Sequence, residues 1–363
     1  MTLNERSHVA IFNTGGFMGM KYSSPTHGVM LHEAGNLAEQ MKDMEEFRDP
    51  LMPTYRVIEY DPLLASADME DKDWIHLATD IERLYHEVDG FVIIMGTDTI
   101  TYGASVLSFM LQNLGKPVIF TAGAVPLSAV FNDSRRNLVV SMLFACNTHL
   151  CEVCIFFNDA LLRGNRALRI ATASLNAFST PNFPPLATLF TLHLKTPNLR
   201  IDLLLNPPKG RLIVHKKLEK RFLVVKLSPG FDDTPLHRLV RSENFNVCAF
   251  ILDTHGTGNA PVRKSGLLTF IKAAIERGAL VVITSQVVQG KVNLASYEVG
   301  RKLLDLGVLS GEDMTKTAIL AKLAYLFGRG FSRDQVRAAM ETNLRGEMTL
   351  KNEPKAQKAL SKL

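Results

Sequence analysis

Along the chain, short apolar runs alternate with longer stretches in which apolar residues recur every three or four positions. The first pattern is that of a buried strand, and the second that of an amphipathic helix. Runs at 8–13, 56–60, 90–95, 117–121 and 152–157 predict strands in the first half. Helical spacing predicts helices over 69–86 and 101–114, the latter ending at Gly115 with Pro117 just beyond. Asp133 stands as an N-cap for a further helix through Cys146. In the second half, strands are predicted at 222–226, 247–253 and 280–284, and helices at 262–277, 315–326 and 332–341. Alternation of this kind predicts an α/β protein whose sheets are mainly parallel.

With 363 residues the chain is too long for one ordinary core, so two domains are expected. Pro197, Pro207 and Pro208 punctuate an apolar segment that reads as a crossover. This predicts a larger N-terminal α/β catalytic domain over 1–200, a linker over 201–218 and a smaller C-terminal α/β domain over 219–363. Hydrophobic residues make up 46% and charged residues 21%, the balance of a folded globular chain. A net charge of +5, spread along the sequence, gives no basic patch for nucleic acid, and the run 216–221 reads as a solvated face or linker. Neither a signal-peptide core nor an apolar stretch long enough to cross a bilayer is present. A cytoplasmic location without a membrane partner is the expectation, and four cysteines suit a reducing compartment.

Chemistry concentrates in two turns, each directly after an apolar run. One is Asn13-Thr14-Gly15-Gly16 and the other Gly96-Thr97-Asp98-Thr99. In an open α/β sheet, ligands bind at the carboxyl ends of strands, where both turns fall. A threonine hydroxyl becomes a nucleophile when a neighbour takes its proton, and Gly15-Gly16 lets backbone approach a ligand closely. Taken alone, Thr14 also reads as an ordinary turn residue, and Asp98 or Thr99 as a helix N-cap. Lys116 reads either as a partly buried base or as a lysine favoured by a helix C-terminus. Cys151 and Cys154, with Cys146 and His149 nearby, have superficial metal spacing. Their three-residue separation turns two of them to opposite faces of a strand, so no metal site is predicted. Gly256-Thr257-Gly258-Asn259 lacks the third glycine of a dinucleotide fingerprint and reads as a ligand or interface loop.

Collinear with these turns run Ser66-Ala67-Asp68-Met69, Leu114-Gly115-Lys116-Pro117, Arg163-Gly164-Asn165-Arg166, Ser179-Thr180-Pro181-Asn182, Gly258-Asn259-Ala260-Pro261, Gly290-Lys291-Val292-Asn293 and Leu344-Arg345-Gly346-Glu347. In this order, along nearly the whole chain, they resemble the bacterial-type L-asparaginase family, and most closely its cytosolic type I branch. The resemblance implies a two-domain fold and hydrolysis of L-asparagine to L-aspartate and ammonia, with no metal or organic cofactor. It implies that Thr14 attacks the amide and forms an acyl-enzyme, and that Thr97 positions a water with Lys116 as proton acceptor. Asp98 would hold the substrate α-ammonium and Ser66 its α-carboxylate, with Gly15 and Gly96 beside them. A homo-oligomer, dimer or tetramer, is implied, with Asn259 approaching the partner subunit's site.

Several positions depart from the family pattern. Phe17 replaces a second threonine, Met95 a histidine, and Ala67 a serine or glutamine. Ala122-Gly123-Ala124 also differs, and the loop tyrosine that assists the nucleophile aligns with Val29, with Tyr22 earlier in the loop. Asp253 and Val287 stand where an allosteric basic residue and cysteine are expected, which predicts absent or altered regulation by asparagine. Two further readings stay open: a glutaminase or other amidohydrolase, and a catalytically impaired homologue that binds an amino acid.

Overall fold

The computed structural model describes residues 7–22, 30–31, 36–189, 198–263 and 265–349. The chain divides into two compact units, Met1–Lys216 and Lys217–Leu363.

The first unit is built on a sheet of eight strands: β1 (His8–Asn13), β2 (Thr54–Glu59), β3 (Gly90–Ile94), β4 (Val118–Thr121), β5 (Val153–Phe157), β6 (Ala160–Arg163), β7 (Ala187–Thr188) and β8 (Asn198–Leu199). Their order across the sheet is β8-β7-β6-β5-β4-β3-β1-β2. The five strands from β2 to β5 are parallel, and β6, β7 and β8 continue the sheet antiparallel. Strands β3, β4 and β5 are buried at every position. Burial on both faces explains why they read as continuous apolar runs. In the parallel part the order is 2-1-3-4-5. The chain therefore reverses its direction of travel across the sheet between β1 and β3, which opens a crevice there.

Helices cover this sheet where the sequence spacing requires it. Helix Asp71–Leu84 starts with a capping box between Glu70 and Asp73 and buries Trp74, Leu77, Ala78, Ile81 and Leu84 along one stripe. Helix Ile100–Met110 is buried on nearly all sides. It ends earlier than its spacing predicts, because Leu111–Gln112 pairs antiparallel with Ile213–Val214. Asn113, at φ 58°, makes the turn that Gly115 was expected to make. Helix Ser134–Ala145 does follow Asp133, but the Asp133 carboxylate does not cap it. It accepts instead from the backbone N–H groups of Ala124 and Val125, tying the helix to the turn after β4.

A smaller sheet of four parallel strands forms the second unit: β9 (Phe222–Lys226), β10 (Ala249–Thr254), β11 (Leu280–Ser285) and β12 (Leu309–Ser310). Their order is sequential, β9-β10-β11-β12. Helix Arg333–Met340 starts at Ser332 with a capping box to Gln335, and helix Lys316–Gly328 is capped by the Thr315 hydroxyl. Among the described residues, no helix is long and apolar enough to cross a membrane.

Candidate active site

Both threonine turns lie at the switch point. Thr14 follows β1, and Thr97 follows β3, its immediate neighbour. The Thr14 side chain is almost wholly buried, at 1% exposure. Its backbone N–H and its hydroxyl both donate to the Ile94 carbonyl at the end of β3, at 3.0 and 2.9 Å. The Thr14 carbonyl accepts from Leu64 N–H at 2.9 Å, which draws in the loop after β2. The turn after β1 is thus bonded both to the end of β3 and to the loop after β2.

Glycine is required where these turns touch. Gly16, at φ 96°, lies against Gly96, and a Cβ on it would come within 2.7 Å of the Gly96 nitrogen. A Cβ on Gly15, at φ 128°, would meet the Leu64 carbonyl oxygen at 2.2 Å. Ser66 is buried in the 3-10 turn Ser66–Asp68, and its hydroxyl faces Gly96, where a Cβ would lie 2.7 Å away. The Thr99 hydroxyl donates to the Ser66 carbonyl at 2.5 Å and fixes the two loops to each other. Thr14, Gly15, Ser66, Gly96, Thr97 and Asp98 therefore belong to one constellation. Thr97 is half-buried, and Asp98 projects outward with its side chain 69% exposed.

Lys116 is not part of that constellation, and its expected role as the water's proton acceptor is corrected. It precedes β4, so it lies at the amino end of the parallel sheet, whereas Thr14 and Thr97 lie at the carboxyl end. Four residues of strand separate the two ends by about 13 Å. The Lys116 ammonium donates to the Tyr85 and Val88 carbonyls at 2.5 and 2.6 Å and sits 5.0 Å from the centre of the Tyr85 ring. Burial lowers its pKa there, far from the threonines.

Sequence reasoning missed Arg169. It lies three residues beyond Arg163-Gly164-Asn165-Arg166, in the short strand Leu168–Arg169 that pairs with Phe178–Ser179. Its guanidinium forms an ion pair with Asp98 through Nη1 and donates from Nε to the Ala171 carbonyl at 3.2 Å. Nothing local in the sequence marks this residue, because the contact spans 71 positions.

Some of the other departures can be placed in the structure. Met95 is buried with its sulfur beside Gly103 and Trp74, and so serves the core. Phe17 is 42% exposed, while its neighbour Met18 enters the core. Val29 lies outside the described residues. Asn259 belongs to the second unit, where it closes a turn with His255 through backbone bonds in both directions. Asp253 is buried and ion-paired with Lys316 at 2.9 Å, and Val287 is exposed. Among the described residues, no cluster of three potential metal ligands occurs.

Comparison with known proteins adds to this geometry. Residues 8–200 match the family description "Asparaginase, N-terminal", and residues 221–340 match "Glutaminase/Asparaginase C-terminal domain". The chain belongs to the asparaginase family. It is 39% identical to L-asparaginase 1 of Escherichia coli over 349 residues, which is 95% of this chain and 99% of that protein. The crystal structure of L-asparaginase I from Vibrio cholerae superposes with a TM-score of 0.85 at 41% identity, covering 95% of this chain and all of that one. A 60 kDa lysophospholipase of Homo sapiens is 36% identical over 95% of this chain and 62% of its own length. The two-domain fold of this asparaginase-family protein, with its larger mixed sheet and smaller parallel one, is that of the family.

Proposed function

We propose that the protein is an L-asparaginase, hydrolysing the side-chain amide of L-asparagine to L-aspartate and ammonia. The observation that carries this reading is the placement of Thr14 and Thr97 at adjacent strand ends on a switch point. In this scheme the Thr14 hydroxyl oxygen attacks the amide carbon, the C–N bond breaks and ammonia leaves. The resulting ester is cleaved by a water that Thr97 orients, which returns Thr14. In this scheme a backbone N–H of the Gly15-Gly16 turn would supply charge stabilisation to the developing oxyanion. Ser66 takes the substrate carboxylate and Asp98 its ammonium. Lys116 has no part in it, since its ammonium is bound at the opposite end of the sheet. The family resemblance supports a homo-oligomer, dimer or tetramer, with Asn259 reaching the partner's site, and a cytoplasmic location.

Ammonia release from L-asparagine by the wild type and by Thr14→Ala tests this reading. The wild type is expected to release ammonia and the variant to lose turnover while keeping its fold, because only one hydroxyl and one methyl are removed. An active Thr14→Ala variant would overturn it. L-glutamine in parallel separates an asparaginase from a glutaminase.

A further inference from the structure

One cavity lies wholly within the second unit, at the amino ends of its parallel strands. Its volume is about 590 Å³, within the range of small-molecule sites. Arg221 stands directly before β9, Cys248 directly before β10 and Arg277 three residues before β11. Arg333, the first residue of the helix Arg333–Met340, completes the charged wall. Among the described residues, no acidic side chain lines the cavity. Burial raises the Cys248 pKa, so its thiol stays protonated and adds no negative charge.

The three arginines differ in what already holds them. Glu219 accepts from Nε and Nη2 of Arg221 at 2.9 and 2.6 Å and neutralises it. Arg277 donates from Nη1 to the Val240 and Ser242 carbonyls at 2.7 and 2.6 Å, and its guanidinium carbon lies 4.9 Å from the centre of the Phe245 ring. Those partners are neutral, so Arg277 keeps its charge. Among the described residues, no hydrogen bond or ion pair engages the Arg333 guanidinium. Gly278 makes room for it: a Cβ there would meet the guanidinium carbon and Nη1 of Arg333 at 2.0 Å. Arg333 thus rests on the backbone next to Arg277, and two uncompensated positive charges share one cavity. They repel each other, and an anion that accepts from both relieves the repulsion.

Much of the remaining wall is aromatic. Phe245, Phe327 and Phe331 are half-buried and line the same space. Phe245 stacks on Phe250 at 6.2 Å, and Phe327 lies 6.1 Å from Phe222, so both rings are braced by neighbours. Phenyl rings beside guanidiniums suit a flat π-system that carries an anionic group. The terminal oxygens of a phosphate can accept from two guanidiniums at once. We propose that this cavity binds a phosphate ester of a flat aromatic group, a nucleotide in its simplest form. The proposal does not depend on the chemistry of Thr14.

Calorimetric titration of the intact protein with AMP tests it, with adenosine and inorganic phosphate as the two halves of the ligand. AMP is expected to bind one per chain, at least about tenfold tighter than either half. Arg333→Gln should weaken AMP by about tenfold, the loss of one charge-assisted contact. No protein group depends on the Arg333 guanidinium, so this variant should keep the wild-type Tm. Arg238→Gln removes the same charge from an exposed position that does not line the cavity, and should bind AMP as the wild type does. AMP binding weaker than about 1 mM overturns the proposal. So does unchanged binding in Arg333→Gln, or an equal loss in both variants. Inorganic phosphate binding as tightly as AMP would remove the aromatic part of the proposal, and benzoate binding as tightly would remove the phosphate; either result overturns it.

Discussion

The two units are built from the same parts and differ in strand order. Both have parallel strands with buried apolar runs, and both bury an ion pair: Arg163 with Glu152 in the first unit, Lys322 with Glu347 in the second. In the first unit the parallel strands run 2-1-3-4-5, and the two turns that flank the reversal carry threonines. In the second unit the order is sequential, so the rule that places ligands at a reversal names no crevice there. Topology, rather than composition, separates the unit that carries the proposed nucleophile from the unit that contributes Asn259.

The ion pair of the second unit gives the largest predicted effect. Lys322 and Glu347 are both fully buried and lie 2.7 Å apart. Lys322 also donates to the Met340 and Thr342 carbonyls, and Glu347 accepts from the Leu344 and Arg345 N–H groups. Burial opposes both charges, and it lowers the Lys322 pKa. Lys322 and the two amide donors nonetheless hold the Glu347 carboxyl below its usual value. Lys322→Met would strand that carboxylate and cost about 3–5 kcal/mol, read as a fall in Tm. The double variant Lys322→Met/Glu347→Leu should recover most of the loss, because no charge is then left alone. A single variant as stable as the wild type would break the parallel between the two buried pairs.

A smaller stability effect with a larger functional one is expected at the switch point. Gly16→Ala would force a Cβ onto the Gly96 backbone at a positive φ, costing about 1–3 kcal/mol and displacing the Thr97 turn. Gly230 in the second unit is the control. It also has a positive φ, at 80°, but nothing lies within 4 Å of a Cβ there. Gly230→Ala should therefore keep ammonia release where Gly16→Ala loses it. Equal activity in both variants would show that close approach of the two turns is not what the site needs.

How far the sequence reveals this arrangement depends on the range of the contact that decides each feature. Strands β3, β4 and β5 are legible because their burial is written as apolar runs. Thr14 and Thr97 are legible because a turn after such a run falls at a strand's carboxyl end. The end of the helix at Met110 is not, since its cause is pairing with residues about a hundred positions away. Arg169 is hidden for the same reason. Leu344-Arg345-Gly346-Glu347 shows as a motif, but its purpose appears only once Lys322 is seen against Glu347.

Lys116 is the most instructive position, because the argument that places the threonines also places it. A residue just before a parallel strand lies at the amino end of the sheet, and Lys116 stands two residues before β4. The motif around Lys116 resembles the family's, but the polarity of the parallel strand keeps its ammonium away from the threonines. Lys116→Met should leave ammonia release near the wild-type level, since the ammonium bonds only Tyr85 and Val88 carbonyls at the far end. Its lowered pKa makes a second, finer prediction. Between that pKa and the ordinary value of 10.5, the unfolded chain binds more protons at this site than the folded one. Wild-type stability therefore gains as pH rises through this alkaline window, and Lys116→Met lacks the gain. Denaturation midpoints of the two proteins, measured from neutral pH to pH 10.5, should diverge with the wild type rising relative to the variant. A variant that instead loses turnover at neutral pH would return Lys116 to the chemistry and undo the division between the two ends of the sheet.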